Sequence, residues 1–256
     1  MENVKKIQSA KNPRIKEIKK LHKKKHREEG QEYLLEGFHL IEEAVNAKVI
    51  PKEIFLTERG WSEWGTWVEQ HALDCFLVTD EVMAVISDLP TPQGIVAVIP
   101  LEVSQVSIDT GGWLLLDNVQ DPGNVGTMIR TADAFGLAGV ILGKGSADIY
   151  STKVLRSMQG SNYHLPVVSQ ELDALIPELK EKGFAIYGTE LNEEAVSLPT
   201  VVPTKNYTII MGNEGQGVRS ELLALTDKNI YIPMNGHAES LNVGVATGIL
   251  LYHLSS

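Results

Sequence analysis

WLLLDNVQDPGNVGTMIRTADAFGLAGVIL, residues 113–142, carries the reading on which the fold turns. Residues 113–116 form a short, unbroken apolar run that ends in the polar pair Asp117-Asn118. Such a run suits a strand covered on both faces, since a half-wet strand alternates. Pro122-Gly123 is a turn signal, and Asn124 stands where a helix N-cap belongs. Val125, Met128, Ile129, Ala132 and Gly136 then share one face of a helix predicted over residues 125–135, with Arg130 pointing the other way. Residues 140–142 read as the next buried strand.

The same alternation continues downstream. Residues 153–158 and 172–182 read as helices, and residues 184–187, 208–211 and 230–232 as strands. A long helix over residues 241–254 closes the chain. This series predicts a mostly parallel sheet with helices on both faces. Ligands of such sheets sit at the C-terminal ends of the strands. The loops after Leu116, Tyr187, Met211 and Ile232 are therefore the places to look for chemistry.

Upstream, residues 101–112 are rich in turn residues and read as a linker. Residues 31–100 form a smaller α/β series, with strands predicted at 33–37, 54–56, 76–78 and 94–99 and helices at 38–47, 61–73 and 82–86. Residues 1–30 are basic, with a thin apolar stripe of Ile7, Ile15, Ile18 and Leu21 and a helix starting near Pro13. The expected organisation is a basic arm (1–30), a small α/β domain (31–100), a linker (101–112) and a larger α/β domain (113–256).

The formal net charge of the 256 residues is −10, which at first argues against a nucleic-acid partner. Its distribution reverses that impression. Residues 1–30 hold eleven Lys and Arg against four Glu, a surplus of seven, so the remainder carries −17. A lysine run of this kind suits phosphate contacts or, equally, a solvated helix face. No apolar stretch is long enough to span a membrane, and the N-terminus lacks the apolar core of a secretory signal. The single cysteine, Cys75, can neither close an internal disulfide nor build a thiolate-rich zinc site, and is expected to be a small buried residue. No metal is expected, because His237 has no second His or Cys near it. These features point to a reducing, cytoplasmic setting.

Three loops carry the candidate chemistry. Residues 117–127 offer amide and carboxylate groups where a parallel sheet presents its ligand. In residues 211–218, MGNEGQGV, Gly212, Gly215 and Gly217 allow close backbone approach. Asn213 and Glu214 interrupt any dinucleotide-type glycine pattern, and no Lys-Ser/Thr pair follows as a P-loop would require. Glu214 disfavours a polyphosphate and favours a cationic or amine-bearing ligand. In residues 232–243, Ser240 looks like an N-cap, and Asn242 is an amide at the start of a helix apolar almost all round. A helix apolar on every side must be buried, in a core or at a subunit interface. Gly244 and Gly248, four residues apart, give it a flat face.

Taken in order, residues 118–136, 210–218 and 230–252 resemble the three motifs of the SpoU-type RNA ribose 2′-O-methyltransferases of the SPOUT superfamily. Residues 33–44 and 91–98 resemble the L30e-like substrate-binding domain that often precedes that catalytic domain. The resemblance implies a parallel sheet whose C-terminal segment is tucked through a deep trefoil knot. It also implies a homodimer through the last helix, with which the flat Gly244/Gly248 face is compatible. S-adenosylmethionine would contact Thr189, Gly212, Ile232 and Leu241, and RNA would be the methyl acceptor; the L30e-like domain and the basic arm favour ribosomal RNA, with transfer RNA as the alternative. Arg130 matches the catalytic arginine. Because guanidinium is a poor base in water, it acts either as a desolvated base or as an anchor for phosphate and developing alkoxide. Asn124 would orient Arg130 or the ribose, and Glu214, Ser240 and Asn242 would shape the site. The basic arm and small domain would capture the RNA. Two other readings stay open: an RNA-binding or ribosome-assembly factor that has kept the fold without catalysis, and an α/β enzyme using residues 212–217 for a nucleotide.

Overall fold

The computed structural model describes residues 4–101 and 106–255. Residues 102–105 of the expected linker lie outside the described residues. The chain divides into two compact units. The first comprises the chain up to the linker together with Tyr150–Tyr163, and the second the rest.

The first unit holds β1 (Lys5–Ile7), α1 (Pro13–Lys20), α2 (Lys24–Gly30), β2 (Glu32–Glu36), α3 (Phe38–Asn46), β3 (Glu53–Leu56), α4 (Glu58–Gln70), β4 (Cys75–Val78), α5 (Asp80–Ile86) and β5 (Ile95–Pro100). Its five-stranded sheet runs β1-β4-β3-β5-β2. The pairings among β1, β4 and β3 are parallel, and β5 is antiparallel to both β3 and β2. The basic segment is built into this unit. Ile7, Ile15, Ile18 and Leu21 join a buried cluster with Phe55, Val82 and Ile86. Asn12, one residue before Pro13, caps α1 by accepting from the Arg14 amide at 2.8 Å. β1 was not legible as a strand, because two of its three residues are exposed lysines. Cys75 is half-buried rather than buried, and desolvation raises its thiol pKa.

The second unit begins with β6 (Gly112–Leu116), α6 (Pro122–Ala134) and β7 (Gly139–Leu142). The next helix, α7 (Thr152–Met158), belongs by packing to the first unit, where the Tyr163 hydroxyl lies 2.7 Å from that of Tyr33 on β2. The chain then returns through β8 (Val167–Ser169), α8 (Leu172–Glu181), β9 (Ala185–Thr189), β10 (Val196–Ser197), β11 (Tyr207–Met211), α9 (Ser220–Leu223), β12 (Lys228–Tyr231) and α10 (Val243–Leu254). Its seven-stranded sheet runs β10-β12-β9-β11-β6-β7-β8 and is parallel at every pairing. β6 and β11 are buried at all five positions, which explains their unalternating apolar sequence. The adjacency of β6, β11, β9 and β12 brings all of their C-terminal loops to one edge of the sheet.

Two helix starts differ from expectation. Asp121, not Asn124, caps α6: its carboxylate accepts from the Asn124 amide at 2.9 Å, with Pro122 at the first helical position. Asn242, not Ser240, caps α10, its side-chain oxygen accepting from the Gly244 and Val245 amides. The flat face of α10 is also occupied within the chain. A Cβ on Gly244 would lie 3.2 Å from Thr127, and one on Gly248 3.9 Å from Thr131, so these glycines seat α10 against α6.

Candidate active site

The loops at the shared edge enclose a cavity of about 490 Å³. All four residues expected to bind the cofactor line it: Thr189, Gly212, Ile232 and Leu241. So do Glu214, Ser240 and Asn242. Thr189 ends β9, and its hydroxyl donates to the Ile210 carbonyl at 2.8 Å, leaving its backbone as the group open to a ligand. Gly212 follows β11 at a point where the loop folds onto itself. Asn213 and Gly217 exchange two backbone hydrogen bonds of 2.9 Å. A Cβ at Gly212 would lie 2.1 Å from backbone atoms of Gly217 and Val218, so only glycine fits. Residues 232–242 form the opposite wall without helix or strand.

Three of the five residues expected to be catalytic form one hydrogen-bonded chain. Asn124 Nδ2 donates to Glu214 Oε1 at 3.0 Å, and Asn242 Nδ2 donates to Asn124 Oδ1 at 3.0 Å. Glu214 also accepts from the backbone amides of Asp121 at 3.0 Å and Gln120 at 3.2 Å. One residue from each candidate loop is thereby joined, ending on the cap of α10. Burial alone would raise the Glu214 pKa. The Asn124 amide and the backbone N–H groups outweigh it and hold the carboxyl below its ordinary range. Glu214 is therefore a fixed anion at neutral pH and a weak base.

Arg130 and Ser240 stand apart from this chain. Arg130 lies further along α6, exposed, and forms no ion pair or hydrogen bond among the described residues. The amide of Asn124, expected to orient it, is engaged by Glu214 and Asn242 instead. Ser240 is exposed on the cavity wall.

The supporting residues escaped sequence reasoning. Asp117, fully buried at the end of β6, accepts from the Arg219 backbone amide at 2.9 Å and from its Nε at 2.8 Å. Arg219 also reaches Asp173 at 3.1 Å. Asn213 Nδ2 donates to the Asn118 carbonyl at 2.9 Å, and its Oδ1 accepts from the Gly215 and Gln216 amides. Asn118 takes a positive φ of 55°, which Asn tolerates better than most residues. These bonds lock the first loop to the second. The polar character of Asp117 and Asn213 was the available signal, but their partners lie far away in sequence.

A ligand of this cavity meets apolar walls from Met211, Ile232 and Leu250, with the carboxylates of Glu190, Glu214 and Glu239 around it. Such a lining takes a flat heteroaromatic group and a cationic one together. The S-adenosylmethionine expected from the sequence has both, an adenine and a positively charged sulfonium and amine. Site and all-parallel fold are those expected of a SPOUT-type methyltransferase.

Comparison with known proteins agrees. Residues 113–252 match the SpoU rRNA Methylase family, and residues 12–97 match the MRM3-like substrate binding domain. The chain belongs to the SpoU rRNA methylase family. It is 44% identical, over 98% of its length and 99% of the relative's, to the 23S rRNA (guanosine(2553)-2′-O)-methyltransferase RlmP of Bacillus subtilis (strain 168). Among solved structures it is similar to the AdoMet-bound rRNA methyltransferase of Sinorhizobium meliloti, with a TM-score of 0.86, 30% identity and coverage of 98% of this chain and 97% of that one. It is also similar to the SpoU methyltransferase AviRb of Streptomyces viridochromogenes in complex with AdoMet, with a TM-score of 0.83, 25% identity and coverage of 96% and 97%.

Proposed function

We propose that this chain methylates a ribose 2′-hydroxyl of 23S ribosomal RNA, with S-adenosylmethionine as donor. The observation that carries the reading is the chain Glu214–Asn124–Asn242, which ties all three motif loops together at the mouth of a cavity suited to that donor. The full-length likeness to a guanosine-specific 23S rRNA enzyme makes a guanosine ribose the first substrate to test.

The donor, when bound, supplies an electrophilic methyl on a cationic sulfur. Thr189, Gly212, Ile232 and Leu241 hold it through backbone groups and apolar contact. Glu214, ionised and accepting from Asn124 and the Asp121 and Gln120 amides, fixes the loops rather than accepting the hydroxyl proton. Asn124 and Asn242 hold the first loop against the start of α10, and Ser240 faces the acceptor side. Arg130, exposed and without an ion-pair partner among the described residues, anchors an RNA phosphate and stabilises negative charge developing on the ribose oxygen, whose proton passes to solvent water. In-line positioning of acceptor and donor supplies much of the acceleration.

The enzyme works as a homodimer through α10. Val245 and Ile249 of α10 are exposed by 53% and 38%, one turn apart, and Leu241, just before the helix, is exposed by 38%. An apolar stripe of this kind marks an interface. No helix among the described residues is long and apolar enough to cross a membrane. A ribosomal RNA substrate places the enzyme in the cytoplasm.

The test is transfer of labelled methyl to total RNA, followed by mapping of 2′-O-methyl sites. Label on the ribose of 23S rRNA, lost in Arg130→Ala while donor binding persists, is the expected result. Label on a base, or full activity in Arg130→Ala, would refute the assignment. Light scattering checks the dimer, and Ile249→Glu should yield monomers.

A further inference from the structure

We infer that the first unit grips the sugar–phosphate backbone of its RNA on the open lysine row of α1, and that α2, which also carries lysines, adds little. The inference rests on the RNA reading above and names the part of the substrate that this surface takes.

α1 has two faces. Ile15 and Ile18 are wholly buried, in one cluster with Val82, Met83 and Ile86 of α5. The His22 ring donates from Nε2 to the Ile86 carbonyl at 3.0 Å, tying the segment after α1 to the same helix. Lys16, Lys19 and Lys20 lie outside that buried face, all exposed. A rise of 1.5 Å per residue places them within about 6 Å along the axis. None has an ion-pair partner among the described residues, and exposed Lys11 and Lys23 flank the row. The one acid of α1, Glu17, is turned towards Arg14 at 3.4 Å, and Arg14 itself is anchored to Glu53 at 2.6 Å. The lysine charges are therefore uncompensated, and they stand on a buried platform.

α2 shows the opposite arrangement. Lys24 pairs with Glu28 at 3.8 Å and Lys25 with Glu29 at 3.7 Å, one turn along the same helix. A polyanion approaching α2 meets dipoles, whereas on α1 it meets a net field. The α1 row contains no aromatic or amide side chain with which to read a base. Lysine ammonium groups act as point charges on phosphate, so the contact is indifferent to sequence. With −17 on the remainder of the chain, this row is where attraction for a polyanion concentrates.

The test compares full-length wild type with Lys16→Gln/Lys19→Gln/Lys20→Gln and with the charge-balanced Lys24→Gln/Lys25→Gln/Glu28→Gln/Glu29→Gln. Deletion of the segment would mislead, because Ile7, Ile15 and Ile18 belong to the core. Thermal unfolding confirms that the variants, all at exposed positions, are folded. Binding is measured over a salt series to a 23S rRNA fragment and to an RNA of the same length and scrambled sequence. Loss of three phosphate contacts lowers the slope of log K against log salt by about 2–3. The α1 variant should show that change on both RNAs, with KM raised and kcat at saturating RNA retained, while the α2 variant keeps the wild-type slope. A wild-type slope in the α1 variant, or an equal loss in the α2 variant, overturns the inference. If wild type transferred no methyl to RNA, the function reading would fail, and the binding series would still decide this one.

Discussion

The two units solve the problem of placing polar groups in opposite ways. In the first, the polar groups proposed to matter are lysines on the outside of a helix whose inner face is packed. Their placement depends on hydrophobic contacts, and each ammonium is free to move. In the second, Asn124, Glu214 and Asn242 are fixed to one another, Asp117 to Arg219 and Asn213 to Asn118, across loops. Removing one frees its partners. Changes in the first unit should therefore alter affinity and salt dependence additively, while changes in the second should be costly and non-additive.

The largest expected effect is at Gly212. Gly212→Ala drives a methyl into backbone at 2.1 Å, so the loop must open and donor binding, measured by calorimetry, should be lost. Next is Asp117→Ala, which removes the buried partner of Arg219 and frees two donors. Arg219 is 43% exposed and keeps Asp173, so the cost is that of the lost charge-assisted hydrogen bonds, about 1.5–3 kcal/mol, readable as a lowered denaturation midpoint. Asn242→Ala removes a helix cap worth about 1 kcal/mol and also the bond to Asn124. Its loss of kcat should exceed what that stability change explains, and Asn124→Ala added to it should cost little more.

Acid sharpens the same contrast. The folded pKa of Glu214 lies below its unfolded value, so its stabilising contribution is fully present above the unfolded carboxyl range and fades as pH falls through the folded pKa. Glu214→Gln should flatten that acid-side loss in an unfolding-versus-pH series. The smallest effect is expected at Tyr163→Phe, which removes one hydroxyl contact to Tyr33 in the first unit. It should lower the unfolding midpoint slightly and leave donor binding untouched.

How much the sequence revealed follows from where each interaction reaches. The strands at 113–116, 140–142 and 208–211 were legible because burial on both faces writes an unbroken apolar run. β10, two residues long, and β8, three, are too short to leave a pattern. Both misplaced caps lie within three residues of the true ones. Pro122 is the cue that selects Asp121, since proline favours the first helical position. Gly244 and Gly248 announced a close approach but not whether the neighbour was α6 or a second chain. The contact of Asp117 with Arg219, 102 residues away, left no local trace. Nor did the grouping of Tyr150–Tyr163 with the first unit. That Thr189, Gly212, Glu214, Ile232, Ser240, Leu241 and Asn242 line one cavity agrees with the motifs; the hydrogen-bonded wiring required the fold.

The central claim is that three loops wired through Asn124, Glu214 and Asn242 hold a donor for transfer to a ribose oxygen. Mapping of labelled methyl on 23S rRNA tests it most directly, comparing wild type with Arg130→Ala at saturating donor and RNA. The account predicts a single 2′-O-methylated ribose in the wild-type reaction and none with the variant. Label on a base, or an unlabelled ribosomal RNA, would contradict it.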